Sequence, residues 1–298
     1  MTIQEAVENF RQLIEDAILE GGNEAKTAMI RSSKPILNIH EAVKHEMLHN
    51  SINDISIFPP LNARTPELKL AGALKKKDQD ICLVPEIGKA EEILKTGLLD
   101  GEIDEFGFDY TEQTIAINIR SQISSIQKNF DTLYERTIME AINLHERCPK
   151  MVLGEVYMIA IPEYDDKQFK SNTVAFKKAN AKVVEKYIKS FQAINARKTT
   201  AKEFYKYEAV CLLIIDFSKK TPIIYESAKA LKKAGLLPSH STLSMQNLSW
   251  NSFAQNLLYT HENRFGTLYN NIFFFQFQTI FFYQKSINIF LILHFAKL

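Results

Sequence analysis

The sequence predicts a mixed α/β fold: a central mixed β-sheet flanked by helices, with a helical segment at the N-terminus. Three observations carry that expectation. Residues 151–161 and 210–215 are almost continuously apolar, the pattern of central strands covered on both faces. Ile115, Ile117 and Ile119 recur at every second residue, the period of a strand with one buried face. From 126 to 148, Ile126, Phe130, Leu133, Thr137, Ala141, Leu144 and Cys148 recur at three- and four-residue steps, the period of an amphipathic helix.

In chain order, Val7, Phe10, Leu13, Ile14 and Ala17 predict a helix over residues 3–20 that Gly21-Gly22 ends. A second short helix is expected over 24–31, and a third, after Pro35, over 36–48. Ile55 and Ile57 before the Pro59-Pro60 stop mark a short strand, and further strands are expected over 67–71 and 81–85. Residues 90–99 read as a helix. Phe106, Phe108 and Tyr110 then alternate, and Thr111-Glu112-Gln113 offers a turn, so a hairpin into the strand at 115–119 is expected. Ser124-Ser125 supplies an N-cap option for the long helix, and Pro149 closes it. Helices are expected again over 179–193 and 227–234. The chain divides into an N-terminal helical segment (1–35), an α/β domain (36–262) and an atypical tail (263–298). Helix, three strands, helix, strand is not the alternating order of a Rossmann domain.

Composition narrows the function classes. The chain has 298 residues, 46% apolar and 24% charged, which are ordinary globular values. Its 36 basic and 35 acidic residues give a net charge of +1. That excludes a broadly basic nucleic-acid coat, but it allows a basic groove around an acidic site, because the two signs cancel in the sum. Cys82, Cys148 and Cys211 are far apart and lie in apolar runs, so neither a disulfide framework nor a zinc ribbon is expected, and a reducing cytoplasm fits best. The start of the chain shows no signal-peptide pattern. Phe and Ile crowd residues 272–295, but Gln276, Gln278, Gln284, Lys285, Ser286 and Asn288 interrupt them. The preferred reading is translated sequence never selected to fold here, as after a frameshift. A core strand–helix unit and a membrane anchor remain alternatives, although no membrane association is expected.

Two segments carry candidate chemistry. Lys75-Lys76-Lys77-Asp78-Gln79-Asp80 runs into the strand at 81. Asp78 and Asp80, two apart, would share a strand face, and the lysines before them would neutralise backbone phosphates. On the strand at 115–119, period-2 geometry sends Asn118, Arg120 and Gln122 to the face opposite the isoleucines. Hydrolysing a phosphodiester needs acidic oxygens to hold a divalent cation, and positive charge for the attacked phosphate. These segments offer both.

The layout resembles the PD-(D/E)XK nuclease fold, in which an Asp opens the second core strand and an acid-x-Lys pair lies on the third. Asp80 sits where the family's first acid falls, and Asn118-Ile119-Arg120 where its acid-x-Lys falls. The stretch 117–164, with Arg120-Ser121-Gln122-Ile123-Ser124-Ser125 and Phe130-Asp131-Thr132-Leu133-Tyr134-Glu135-Arg136, resembles a group of bacterial type II restriction endonucleases, and the resemblance as a whole covers residues 35–164, less than half the chain. The resemblance implies a restriction-endonuclease-like core and a site-specific deoxyribonuclease acting on double-stranded DNA with Mg²⁺. It also implies a homodimer that cuts both strands, and a cognate DNA methyltransferase as a separate protein.

On this reading Asp80 is the chief metal ligand, helped by Asp78 or by Glu41 in the helix before the sheet. Arg120 stabilises the attacked phosphate, and Asn118 or Gln122 positions a water or the metal. Lys75, Lys76, Lys77, Arg197 and Lys198 contact the DNA backbone. The chain departs from the family in that Asn118 is neutral where a carboxylate is expected, and Arg120 stays protonated and cannot be a general base. Glu67 and Glu155 are acids that could compensate.

Each residue also has a plainer reading. Asp78 and Asp80 would be turn acids, Asn118 and Arg120 solvent-facing strand residues, and Glu155 a core acid paired with a lysine or arginine. Two further functions therefore stay open: a non-cleaving DNA-binding relative, and a partner-binding scaffold with no DNA role. Other motifs fail. His40, Glu41, His45 and His49 do not make HExxH, and no GxxxxGK[ST], GxGxxG or GxSxG occurs.

Overall fold

The computed structural model describes residues 1–51, 56–95 and 97–266. Ile55 and the Phe- and Ile-rich stretch at 272–295 lie outside these residues. The elements in order are α1 (Ile3–Arg31), α2 (Lys34–Asn50), β1 (Ile57–Phe58), β2 (Leu68–Ala71), β3 (Lys76–Gln79), β4 (Ile81–Leu83), β5 (Glu92–Ile93), β6 (Ile103–Asp104) and α3 (Phe108–Glu112). They continue with β7 (Ile115–Gln122), α4 (Phe130–Arg147), β8 (Val152–Ala160), α5 (Ala181–Ala193), β9 (Ala209–Asp216), β10 (Ile223–Ile224), α6 (Ala228–Lys233) and α7 (Trp250–Phe265).

One six-stranded mixed sheet, in the order β1-β4-β7-β8-β9-β10, forms the middle layer. β1, β4 and β7 are antiparallel, and α4 then crosses over so that β8 runs parallel to β7. β9 is parallel to β8, and β10 returns antiparallel. The expected crossover helix and buried strand pair are present, while the antiparallel group is β1, β4 and β7. β8 and β9 are buried along their whole length because helices cover both faces.

On one face, Ile81, Ile117, Val156 and Cys211 pack against α1, α2 and α7 through Phe10, Ile14, Val43 and Phe253. Burying an apolar side chain of this size contributes about 1.5–3 kcal/mol, so the N-terminal helices are held as part of the main core. On the other face, Cys82, Ala116, Tyr157 and Leu212 pack against α4 and α5. α1 starts with a capping box between Thr2 and Glu5. It breaks at Gly21-Gly22, where Gly22 takes φ 60, a backbone state open to glycine at little cost.

Three local expectations are corrected. Residues 108–112 are helical, so no hairpin joins them to β7. Phe106 and Tyr110 stack at 5.4 Å between centroids, and Phe108 is exposed. Alternation at period two contains the i, i+4 spacing of a helix, and here the helix wins. The α-helix expected over 90–99 is replaced by strand β5 and, at Gly97–Leu99, a single 3₁₀ turn. Glu92 and Ile93 pair with Asp104 and Ile103, and Arg147 on α4 donates to both Glu92 and Asp104 at 2.6 Å. Finally, α4 begins at Phe130, with Asn129 at the N-cap position, rather than near Ser124-Ser125. All three cysteines are free and buried, and burial pushes their thiols well above the ordinary range, so they are inert core residues.

α4 also holds the lysine turn in place. The Asn143 carboxamide accepts from the amides of Leu74 (2.8 Å) and Lys75 (3.0 Å) and donates to the Lys75 carbonyl (3.1 Å). This clamp requires Gly72. A Cβ there would lie 2.3 Å from Asn143 Nδ2 and 2.4 Å from its backbone oxygen. Gly72→Ala is expected to destabilise the protein by about 1–3 kcal/mol through overpacking. Chemical denaturation would measure it, and an unchanged midpoint would mean that the turn does not depend on this contact.

Candidate functional site

Strand register builds the site. Ile81 pairs with Ile117 across β4 and β7, and Asn118 pairs with Glu155 across β7 and β8. Asp80, one residue before its strand, therefore falls opposite Asn118. All three face the α4 side, as Cys82 and Tyr157 do two residues further along. The result is a row, Asp80–Asn118–Glu155, across three adjacent strands. Asp80 is fixed by the Ile119 amide, which donates to its Oδ2 at 2.6 Å. Asn118 Oδ1 and Glu155 Oε2 are buried and accept no hydrogen bond.

Positive groups lie beside this row. Arg120, two residues beyond Asn118 on the same face, ion-pairs with both Glu155 and Glu140 of α4. Lys77 of β3 reaches Glu140 at 2.5 Å, and Arg136 does so at 3.5 Å. Glu140 is 3% exposed and Glu155 is fully buried. Burial raises the Glu155 carboxyl to about 6, with Arg120 opposing the shift. Burial works against the Arg120 charge as well, but Glu155 overcomes it and holds the guanidinium protonated. Lys77 is lowered to about 8, first by burial and then by the neighbouring Arg120, while Asp80 and Glu155 pull the other way.

Above these groups opens a cleft of about 490 Å³, lined by Lys77, Asp80 and Arg120 among others. Its walls are the end of α1, the start of α2 and the first turns of α4. Asp80, just before β4, and Arg120, on the neighbouring β7, thus share one cleft.

Other expected residues go elsewhere. Asp78 is exposed and faces Lys69 across the β2–β3 hairpin at 3.8 Å. Glu41 is held by Lys44 and accepts from the Asn62 amide at 2.9 Å, so it serves a loop on the far side of the sheet. Gln122 lines the cleft, but its oxygen accepts from Tyr157 (3.1 Å) and Tyr187 (2.5 Å) and its amide donates to Ser125 and Ile126. With its hydrogen-bonding groups engaged inside the protein, it is a structural residue and not one that positions water.

Arg197 is also corrected. It is buried, pairs with Glu208 at 3.3 Å, and donates to the carbonyls of Pro149, Thr200 and Lys202. That guanidinium faces inward and offers nothing to a DNA backbone, whereas Lys198 stays exposed. Lys75 is exposed at the turn, and Lys76 pairs with Glu102 at 2.8 Å. Glu67 is exposed just before β2, and burial, then Asp80 and Asp78, raise its carboxyl.

Glu140 and Arg136 were missed from sequence, although a signal existed. Glu140 falls three residues after Thr137 and four before Leu144, inside the apolar stripe of α4, and a carboxylate on a buried face is rarely idle.

Among the described residues, no group of three or more His, Cys, Asp or Glu side chains could hold a metal ion. The row instead supplies two carboxylates and a carboxamide oxygen, two of whose oxygens are buried and unpartnered. That fits Mg²⁺, which binds through one or two carboxylates and keeps several waters. Among the described residues, no helix is long and apolar enough to cross a membrane. Compared with known proteins, the chain matches no family model, no curated protein and no solved structure.

Proposed function

We propose that the chain is a metal-dependent endonuclease that hydrolyses phosphodiester bonds in a specific double-stranded DNA sequence, a type II restriction enzyme with a PD-(D/E)XK-like core. The observation that carries this reading is the row Asp80–Asn118–Glu155 lying beside Lys77, Arg120 and Arg136. Glu155, from the next strand, takes the place of the carboxylate that Asn118 lacks.

Asp80, Asn118 and Glu155 would hold Mg²⁺, which when bound polarises a phosphoryl oxygen and makes a bound water more acidic. Arg120 and Arg136 hold the phosphate and stabilise the charge that builds on it. Lys77 takes the proton from the attacking water as its oxygen bonds to phosphorus and the bond to the leaving oxygen breaks. Glu140 positions Lys77 and Arg120. A twofold homodimer, a cytoplasmic setting and a separate DNA methyltransferase follow from this reading.

The second reading is a DNA-binding relative that does not cleave. It is favoured by Arg120, whose pair with Glu155 already occupies one of the acids a metal would use. Incubating the protein with plasmid DNA and Mg²⁺ separates the two readings. Cuts that disappear on chelation support the endonuclease, and retention of DNA without cuts supports the second reading.

The proton acceptor gives a further prediction. Below about pH 8 Lys77 is mostly protonated and cannot accept. Cleavage is expected to rise about tenfold per pH unit and level off near 8, with Lys77→Met removing the slope. A wild-type profile that is flat between pH 6 and 8.5 would exclude Lys77 as the base.

A further inference from the structure

We propose that the cleft takes one unstacked nucleotide, with its phosphate on Arg120, Arg136 and Lys77 and its base against Ile30, Pro35 and Ile36. This rests on the proposed function and names the form in which the substrate enters the site. The first argument is size. A volume of about 490 Å³ lies in the range of roughly 300–1,000 Å³ typical of small-molecule sites, and it is far too small for a base-paired segment.

The second argument is the division of chemistry. The three cations come from β3, β7 and α4, while the apolar wall comes from the end of α1 and the start of α2. Ile30 is 40% exposed, a large apolar side chain at the cleft with no core role. Ser121 and Asn129, both exposed in the lining, can donate to or accept from the edge of a base. A site that was only a phosphate trap on a duplex backbone would have no use for that wall. An enzyme that draws a nucleotide out of the stack needs an apolar surface to replace the lost stacking.

The test is calorimetric titration of the full chain with thymidine 5′-monophosphate and, separately, with inorganic phosphate. The nucleotide is expected to bind at least about tenfold more tightly than phosphate, a difference of about 1.4 kcal/mol. Ile30→Ser together with Ile36→Ser is expected to bring the two affinities within about threefold of each other. Ile30→Ser alone serves if the double variant does not fold, because its side chain is already partly in water. Equal affinities in the wild type would overturn the nucleotide pocket and leave the phosphate-binding role of the arginines standing. Binding of neither probe would remove the phosphate site, and with it both this inference and the mechanism on which it rests.

Discussion

Asp80→Asn is expected to slow plasmid cleavage in Mg²⁺ about a thousandfold, the equivalent of about 4 kcal/mol of transition-state stabilisation. The substitution removes a charge and little else. The hydrogen bond at Asp80 is accepted from the Ile119 amide by Oδ2, and an asparagine oxygen accepts the same bond. The strand pair β4–β7 therefore keeps its register, and the melting temperature is expected to move by no more than about 2 °C. Asp78 is the natural comparison, being two residues away but exposed and facing Lys69 outside the cleft. Asp78→Asn is expected to alter the cleavage rate less than about twofold, as for a surface charge remote from the phosphate. Equal losses at both positions would mean that overall charge, and not a ligand at Asp80, governs activity.

The second large effect concerns stability. Arg120→Leu is expected to destabilise the protein by about 3–5 kcal/mol, because it leaves two buried carboxylates without their guanidinium. Glu140 keeps Lys77 and Arg136 nearby, but Glu155 is fully buried and ion-pairs with Arg120. In a chain of this size the change corresponds to roughly 10 °C in melting temperature. The pH dependence identifies the cause. Burial already holds Glu155 above its unfolded value, at about 6 with Arg120 present. An acid raised on folding binds more protons in the folded state, so its contribution to stability falls as pH rises through the folded value. Without Arg120 the carboxyl rises further. The loss in Arg120→Leu is therefore expected to be small near pH 4.5 and largest above pH 7, and Glu155→Met in the same chain is expected to recover part of it. A loss independent of pH would point to side-chain packing in place of an unpaired carboxylate.

How much of this was legible beforehand differs from element to element. β8 and β9 announced themselves as continuous apolar runs because both faces of those strands are covered. β7 announced its two faces: Ile117 and Ile119 go to one core, Asn118 and Arg120 to the other side, as alternation requires. The helices α1, α2, α4 and α5 followed their three- and four-residue periods. Short elements were not legible. β5 and β6 pair where Arg147, more than forty residues away, gathers Glu92 and Asp104, and α7 was not predicted although Trp250, Phe253, Ala254, Leu257 and Leu258 recur at the three- and four-residue steps of an amphipathic helix.

The sequence by itself determined the α/β class, the central strands β8 and β9, the crossover helix α4 and the side of β7 on which Asn118 and Arg120 lie. These depend on local periodicity, which is written in neighbouring residues. Only the tertiary structure decided that Glu155 meets Arg120, that Glu140 gathers Lys77 and Arg120 beneath one cleft, and that Arg197 turns inward to Glu208. Those outcomes depend on how a helix lies over a sheet and on which charges lose water there. A carboxylate removed from water must find a cation, and the distance to that cation is set by packing, not by position along the chain.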